Sequence, residues 1–177
     1  MTRERPGPGE PVDILHTASL TAAALWTVHS MEEETIVSFA PSMPRDRELT
    51  ERFIAASDVV TLGEADAAWL HPGATVDDVI GKLLRRGPAL VAVACASGWA
   101  LGTKRASLAL PAASAADELV AGLLNGLAGV LADGCHVEGL RSGLDTVLLA
   151  RIGRSVAEHG CPGAGLSRRR SNRPQPA

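Results

Sequence analysis

Short runs made up mainly of apolar residues, separated by stretches with helical spacing, constrain the fold of this chain more than any other feature. Four such runs lie at 12–16, 35–39, 58–62 and 89–94. A strand exposed on one face alternates polar and apolar residues, whereas a strand of a parallel sheet is apolar throughout because helices cover both faces. The sequence therefore predicts an α/β fold with a mostly parallel sheet flanked by helices.

Helix signals fall between these runs and after them. Ser19 is the predicted N-cap of a helix that extends to about residue 30, and Thr75 caps a helix that ends at Gly87 and Pro88. The other predicted helices span 45–56, 64–70, 115–132 and 144–159, and two shorter strands at 99–103 and 107–110 form a hairpin.

The core has to be built almost without aromatic side chains, since Phe, Trp and Tyr make up 3% of the 177 residues and Tyr is absent. Ala, Leu and Val must fill it instead, which favours closely packed helices and strands. This length suits a single domain. We place it at 12–166 and expect disordered ends at 1–11, which is rich in Pro and Gly, and at 167–177, which is basic.

Charge and cysteine content limit where the chain acts. The net charge is −3, and four arginines in the last ten residues leave the remainder more acidic still. An acidic body with few aromatic residues argues against nucleic-acid binding. Three cysteines without a metal or redox spacing suit a reducing compartment, and we find no signal peptide or bilayer-spanning run. We therefore expect a cytoplasmic protein that does not contact a membrane.

Several chemical motifs are weak or missing. Cys135, His136 and Glu138 place three metal ligands together, but the other histidines are scattered along the chain. No Gly-x-Ser-x-Gly elbow supports a hydrolase triad, and no Gly-x-x-x-x-Gly-Lys loop is present to bind phosphate. The candidate site therefore lies where α/β proteins bind ligands, at the carboxyl ends of the predicted strands.

Those strand ends, taken in order, are similar to the C-terminal part of the ribokinase-like (PfkB) carbohydrate kinases, most closely the fructokinase-like bacterial members. The resemblance runs from residue 12 to about residue 165, and its segments lie at 13–19, 36–42, 56–66, 69–73, 87–91, 114–124 and 161–164. It implies a three-layer ribokinase-like α/β fold and phosphoryl transfer from ATP, with Mg²⁺, to a hydroxyl of a sugar such as fructose.

The resemblance also assigns residues to roles. The Gly-Ala-Gly-Asp signature of the family corresponds to Ser114, Ala115, Ala116 and Asp117, which makes Asp117 the catalytic base and the preceding backbone N–H groups the pocket for the transferring phosphoryl group. Both signature glycines are replaced, so weak or lost activity is implied. The alternative for Ser114 and Asp117 is purely structural, as the N-cap and first-turn acid of a helix.

The remaining assigned positions concern the nucleotide and the metal. Gly98 corresponds to the nucleotide-binding turn of the family after the fourth strand, while Cys161, Gly163 and Ala164 correspond to its C-terminal loop near the adenine. Asp66 matches the acid of the Asn-x-x-Glu motif that supports magnesium.

Family members have about twice the length of this chain and place further strands and a sugar-binding motif before the segment matching residue 12. The resemblance thus implies a sheet truncated on its N-terminal side, with an open edge near 12–16. A second hypothesis follows, in which the chain is a non-catalytic interaction protein, a pseudokinase remnant that pairs through this edge with a second copy or with another kinase chain. A third is a decayed reading frame without a selected function.

Overall fold

The computed structural model of the chain describes residues 14–31, 33–41, 46–111 and 116–159. The predicted disordered ends, 1–11 and 167–177, lie outside these residues. The strands are β1 Ile14–Thr17, β2 Ile36–Phe39, β3 Val59–Gly63, β4 Leu90–Cys95, β5 Gly98–Thr103 and β6 Ser107–Pro111. The helices are α1 Ala22–His29, α2 Arg47–Ala55, α3 Glu64–Leu70, α4 Val76–Leu84, α5 Ala116–Ala132, α6 Val137–Arg141 and α7 Thr146–His159.

The strands form one six-stranded sheet in the order β1-β2-β3-β4-β5-β6. Neighbours from β1 to β4 are parallel, with Ile14 opposite Ile36 and Val59 opposite Leu90. The hairpin of β5 and β6 then adds two antiparallel pairs. The mostly parallel α/β sheet predicted from the continuous apolar runs is confirmed.

The helices that connect parallel strands all pack on one face of the sheet. Each connection from β1 to β4 moves to the next strand in the same direction, and right-handed crossovers then place every helix on the same side. Buried residues of α1 to α4, such as Leu25, Phe53 and Leu83, accordingly share a core with Val60 and Val91 of the sheet.

The second face is covered by α5, α6 and α7. Leu123 and Leu127 of α5 and Ile152 of α7 share a core with Trp99 and Leu101 of β5, and all five are nearly or fully buried. The sheet is therefore enclosed between two helical layers, as a three-layer fold requires. Within the described residues no helix has the length and apolar character that crossing a membrane would need.

Helix boundaries depend on capping contacts that the sequence only partly reveals. The predicted N-cap Ser19 is wrong, because the hydroxyl of Thr21 accepts the capping bond from the N–H of Ala24 at 3.1 Å. Thr75 is confirmed as an N-cap and forms a reciprocal capping box with Asp78. The short helix α6 was not predicted, because its five residues include a glycine and are too few for a periodic pattern.

Candidate functional site

The carboxyl ends of β1, β2, β3 and β4 all lie at one edge of the sheet, because these strands are parallel. Two successive antiparallel pairings make β6 parallel to β4, so β6 also ends at this carboxyl edge, with Pro111 paired to Gly98. The chain then reaches Ala116, the first residue of α5, only five residues later. Five residues span at most about 17 Å, so α5 begins near the same edge.

The first turn of α5 contains two of the predicted site residues, Ala116 and Asp117. The other two residues of the predicted phosphoryl pocket, Ser114 and Ala115, lie outside the described residues. The helix is 17 residues long, so its N-terminal N–H groups carry the full partial positive charge of a long helix. An anion near this turn would be stabilised by that charge and by hydrogen bonds from the N–H groups of the first turn.

The turn after β4 is held against the start of α3. A carboxylate oxygen of Glu64 accepts a hydrogen bond from the backbone N–H of Ala96 at 3.0 Å. Gly98 is buried at the end of this turn with φ of 139°, a backbone conformation that favours glycine. Sequence analysis singled out Gly98 for the nucleotide-binding turn but missed the bond from Ala96 to Glu64, which joins segments 32 residues apart.

Asp66 lies in the first turn of α3, half-buried at the carboxyl edge. Burial raises the pKa of its carboxyl group, and the hydrogen bond from the backbone N–H of Gly63 partly opposes that rise. Within the described ranges no three side chains of His, Cys, Asp or Glu come together to hold a metal ion. Asp66 is thus a single carboxylate at this edge, and magnesium sites in proteins commonly use only one or two protein carboxylates together with substrate phosphates and water.

A polar pair lies at the end of β1 and β2 on the side of the sheet that faces α5. Nδ1 of His16 is 3.2 Å from Oγ of Ser38, and the two residues are opposite each other in the parallel register. Ser38 is fully buried, whereas His16 is exposed and its pKa is lowered by partial burial of the ring. Ser38 was not predicted, because a single serine in an apolar run carries no distinguishing signal.

Two histidines make stability depend on pH near neutrality. Burial lowers the pKa of His16 and of His71, and Lys82 contributes to the shift at His71. The unfolded chain therefore binds more protons than the folded chain as the pH falls below about 6.5, and the free energy of unfolding decreases in that window. Urea unfolding should show lower stability at about pH 5.5 than at about pH 7.5.

The double variant His16→Gln, His71→Gln should show a smaller difference between the two pH values than the unmodified chain. Asp66, with its raised pKa, acts in the opposite direction, and it is present in both the unmodified chain and the double variant. An equal difference in the double variant would show that other groups produce the pH dependence.

Trp99, which directly follows Gly98, is 4% exposed and belongs to the core beneath α5 and α7, so it does not line a groove at this site. The remaining predicted residues belong to the C-terminal loop. Cys161, Gly163 and Ala164 lie outside the described residues. The described part of the candidate site therefore consists of the first turn of α5, the turn closed by Glu64, and Asp66 beside it.

A separate cavity of about 610 Å³ lies away from the carboxyl edge, between α6 and the residues that precede β2. Cys135, His136 and Glu138 line it together with Glu33 and Glu34. Burial raises the pKa of the Cys135 thiol, and the negative charge of Asp145 adds to that rise. Among the described residues no three such side chains are placed to hold a metal ion, so the adjacency of Cys135, His136 and Glu138 in sequence does not become a metal site here.

Comparison with known proteins identifies the fold. The sequence matches no family model and no curated protein. Aminoimidazole riboside kinase from Salmonella enterica, crystallised with aminoimidazole riboside and an ATP analogue, has a TM-score of 0.63 at 20% identity, over 84% of this chain and 54% of that one. Ribokinase from Thermotoga maritima has a TM-score of 0.59 at 17% identity, over 84% of this chain and 49% of that one.

A fructokinase from Xylella fastidiosa with bound ATP has a TM-score of 0.54 at 22% identity, over 84% of this chain and 55% of that one. These neighbours are PfkB-family kinases, and the ribokinase-like α/β fold predicted from the resemblance is confirmed. The chain spans about half the length of these structures. The structural overlap establishes a shared fold at these low sequence identities, while activity depends on the residues of the site.

Proposed function

We propose that the chain forms the nucleotide-binding part of a sugar kinase of the ribokinase type, with ATP as phosphoryl donor and a sugar hydroxyl as acceptor. The observation that carries this proposal is the position of α5, which begins five residues after Pro111, at the edge where the parallel strands end. In solved structures of this fold, an ATP analogue accompanies the riboside kinase and ATP accompanies a fructokinase.

The chemistry assigned to the chain's own residues is simple. Asp117 accepts the proton of the attacking sugar hydroxyl, whose oxygen forms a bond to the γ-phosphorus as the bond from phosphorus to the β–γ bridging oxygen breaks and ADP leaves. The N–H groups around Ala115 and Ala116 stabilise the negative charge of the transferring group. Gly98, Cys161, Gly163 and Ala164 would contact the nucleotide, and Asp66 would contribute one carboxylate to a magnesium ion, which would neutralise charge on the phosphates.

Side chains at the positions of the two signature glycines limit this activity. Ser114 and Ala116 each add a Cβ where the backbone must approach phosphate oxygens, and they restrict its backbone angles. We therefore propose a turnover number well below that of an enzyme with both glycines. The cytoplasm as compartment, a fructose-like substrate, and the absence of membrane and nucleic-acid partners belong to the same proposal.

Neutralising Asp117 tests this mechanism. Asp117→Asn should lower kcat for ATP-dependent sugar phosphorylation by about 10²–10⁴-fold, because a general base contributes on that order. Glu118→Gln is the matched control, since it removes the same charge from the next position of the sequence. It should leave kcat within about twofold, because the charge alone affects the helix dipole only weakly. The measurement is release of ADP, with fructose and ribose as acceptors.

Two further results bear on the proposal. The double variant Ser114→Gly, Ala116→Gly should raise kcat, because it restores close approach of the backbone to the phosphoryl group.

Calorimetric titration with MgATP should give saturable binding in the unmodified chain. Absence of heat at millimolar MgATP would remove the nucleotide site, whereas binding without any turnover would leave a nucleotide-binding protein in place of a kinase.

A further inference from the structure

A cavity of about 540 Å³ lies at the amino edge of the sheet, opposite the edge that carries the candidate site. Thr103, the last residue of β5, is paired with Leu90, the first residue of β4, so the turn after β5 lies where the parallel strands begin. The cavity opens between this turn and the C-terminal end of α4. Its lining consists of Gly81, Leu84, Arg85, Arg86, Gly87, Thr103 and Lys104.

The charged side chains that line this cavity are all cations. Arg85 and Arg86 follow α4, and Lys104 lies across from them in the turn after β5. A carboxylate oxygen of Glu51 is 3.0 Å from Arg86, and Asp78 interacts electrostatically with Arg85, but neither acid lines the cavity. The chain has a net charge of −3, so a cavity lined only by cations does not follow from a basic composition.

Stabilisation of a helix end does not account for all three cations. The C-terminus of a helix carries a partial negative charge of about half an elementary charge, which one cation offsets. Helix α4 has Lys82 in its last turn and Arg85 as its C-cap, so its own residues supply that cation. Lys104 belongs to a different element, and its position beside the two arginines concentrates positive charge in the cavity.

Backbone contacts hold both walls of the cavity in place. The hydroxyl of Thr103 donates a hydrogen bond to the carbonyl oxygen of Leu144 at 2.8 Å, which anchors the turn that carries Lys104. On the other wall, a Cβ at Gly87 would lie 2.9 Å from the carbonyl oxygen of Ala55, so the chain after the two arginines packs directly against the end of α2. A rigid frame lowers the entropic cost of binding a ligand.

We propose that this cavity, which we call the amino-edge cavity, binds a phosphate group carried by a small metabolite. A guanidinium group binds phosphate through two parallel hydrogen bonds, and a lysine adds a compact positive charge. The volume lies in the range of pockets that hold small organic molecules and exceeds what a single phosphate ion fills. This inference does not depend on phosphotransfer, because none of the lining residues is assigned to the nucleotide or to magnesium.

Calorimetric titration of the full chain with glycerol 3-phosphate tests the proposal. Binding should be saturable, glycerol should not bind, and inorganic phosphate should bind more weakly because it fills less of the cavity. Equal affinity for inorganic phosphate would overturn the assignment to a phosphorylated metabolite.

A pair of double variants tests which cations bind the phosphate group. Arg85→Ala, Lys104→Ala should raise the Kd for glycerol 3-phosphate at least about tenfold. The matched control is Arg52→Ala, Arg105→Ala, which removes two exposed cations that do not line the cavity. In about 0.15 M salt it should leave Kd within about twofold, because charges outside the cavity are screened. Circular dichroism of both variants should match that of the unmodified chain.

Amide NMR separates the amino-edge cavity from the first turn of α5, which is also expected to attract phosphate. Glycerol 3-phosphate should shift the amide resonances of Gly81, Gly87 and Lys104. Shifts confined to Ala116 and Asp117 would overturn the amino-edge cavity while leaving the proposed kinase site intact. Absence of saturable binding at millimolar glycerol 3-phosphate, or equal weakening by the two double variants, would also overturn the proposal.

Discussion

Gly122→Ala should lower the free energy of unfolding by about 2 kcal/mol, although alanine is the better helix former. A Cβ at this position of α5 would lie 2.7 Å from Cα of Val156 and 3.1 Å from the carbonyl oxygen of Ser155 in α7. Both are backbone atoms, so the contact cannot be relieved by a side-chain rotation. The two helices must separate, and the core beneath them loosens.

Two neighbouring glycines of α5 calibrate this effect. A Cβ at Gly126 would lie 3.0 Å from Cα of Ile152, so Gly126→Ala should cost less than Gly122→Ala. Gly129 has no atom within 4 Å of the corresponding position, and Gly129→Ala should stabilise the protein by about 0.5–1 kcal/mol through helix propensity. Urea unfolding monitored by circular dichroism measures all three. If Gly122→Ala were as stable as Gly129→Ala, α5 and α7 would not be in backbone contact.

The close contact between the backbones of α5 and α7 agrees with the prediction, made from the composition, that helices and strands pack closely. A chain with 3% aromatic residues was expected to pack its elements closely, and Gly122 and Gly126 allow the backbones of α5 and α7 to meet. The sequence could not show which helix would lie against these glycines. That partner, α7, begins 20 residues after Gly126, and the pairing is decided by the tertiary fold.

The parallel sheet was predictable because burial on both faces leaves a strong sequence signal. Residues such as Val59, Val60 and Val91 are fully buried, and only apolar side chains suit such positions.

For the candidate site, the sequence predicted only that it lies at the ends of the strands. The bond from Ala96 to Glu64, and that between His16 and Ser38, depend on the spacing of strands in three dimensions. A glutamate at a helix start looks the same in sequence whether it is solvated or holds a turn.

Asp58 is another residue whose importance the sequence did not reveal, and Asp58→Ala should lower the free energy of unfolding by about 3 kcal/mol. Its carboxylate accepts hydrogen bonds from Nε of Arg141 at 2.7 Å and from the backbone N–H of Val37 at 2.9 Å. The Asp58 side chain is only 12% exposed. Removing it leaves the N–H of Val37 without its side-chain acceptor and takes a carboxylate partner away from the guanidinium group of Arg141.

Arg141 joins α6 to the amino ends of two strands, which explains why this pair matters more than an ordinary surface ion pair. The guanidinium also donates to the carbonyl oxygens of Glu33, at 2.7 Å, and Thr35, at 3.3 Å. Its bond to Asp58 raises the pKa of Arg141, and the group stays charged across the working pH range. Arg141→Met should cost less than Asp58→Ala, about 1–2 kcal/mol, because the 39% exposed arginine side chain is partly screened by water.

The pair formed by Arg86 and Glu51 is the matched control for Asp58. Its atoms lie 3.0 Å apart, but both side chains are about one-third exposed or more, so Glu51→Ala should change the free energy of unfolding by less than about 0.5 kcal/mol. A double-mutant cycle of Asp58→Ala and Arg141→Met should give a coupling energy of about 1–2 kcal/mol that persists in about 1 M salt, since the carboxylate is shielded from ions. A coupling energy near zero, or one that salt removes, would mean that the pair behaves as a solvated surface contact and that α6 is held by Val137 and Leu140 alone.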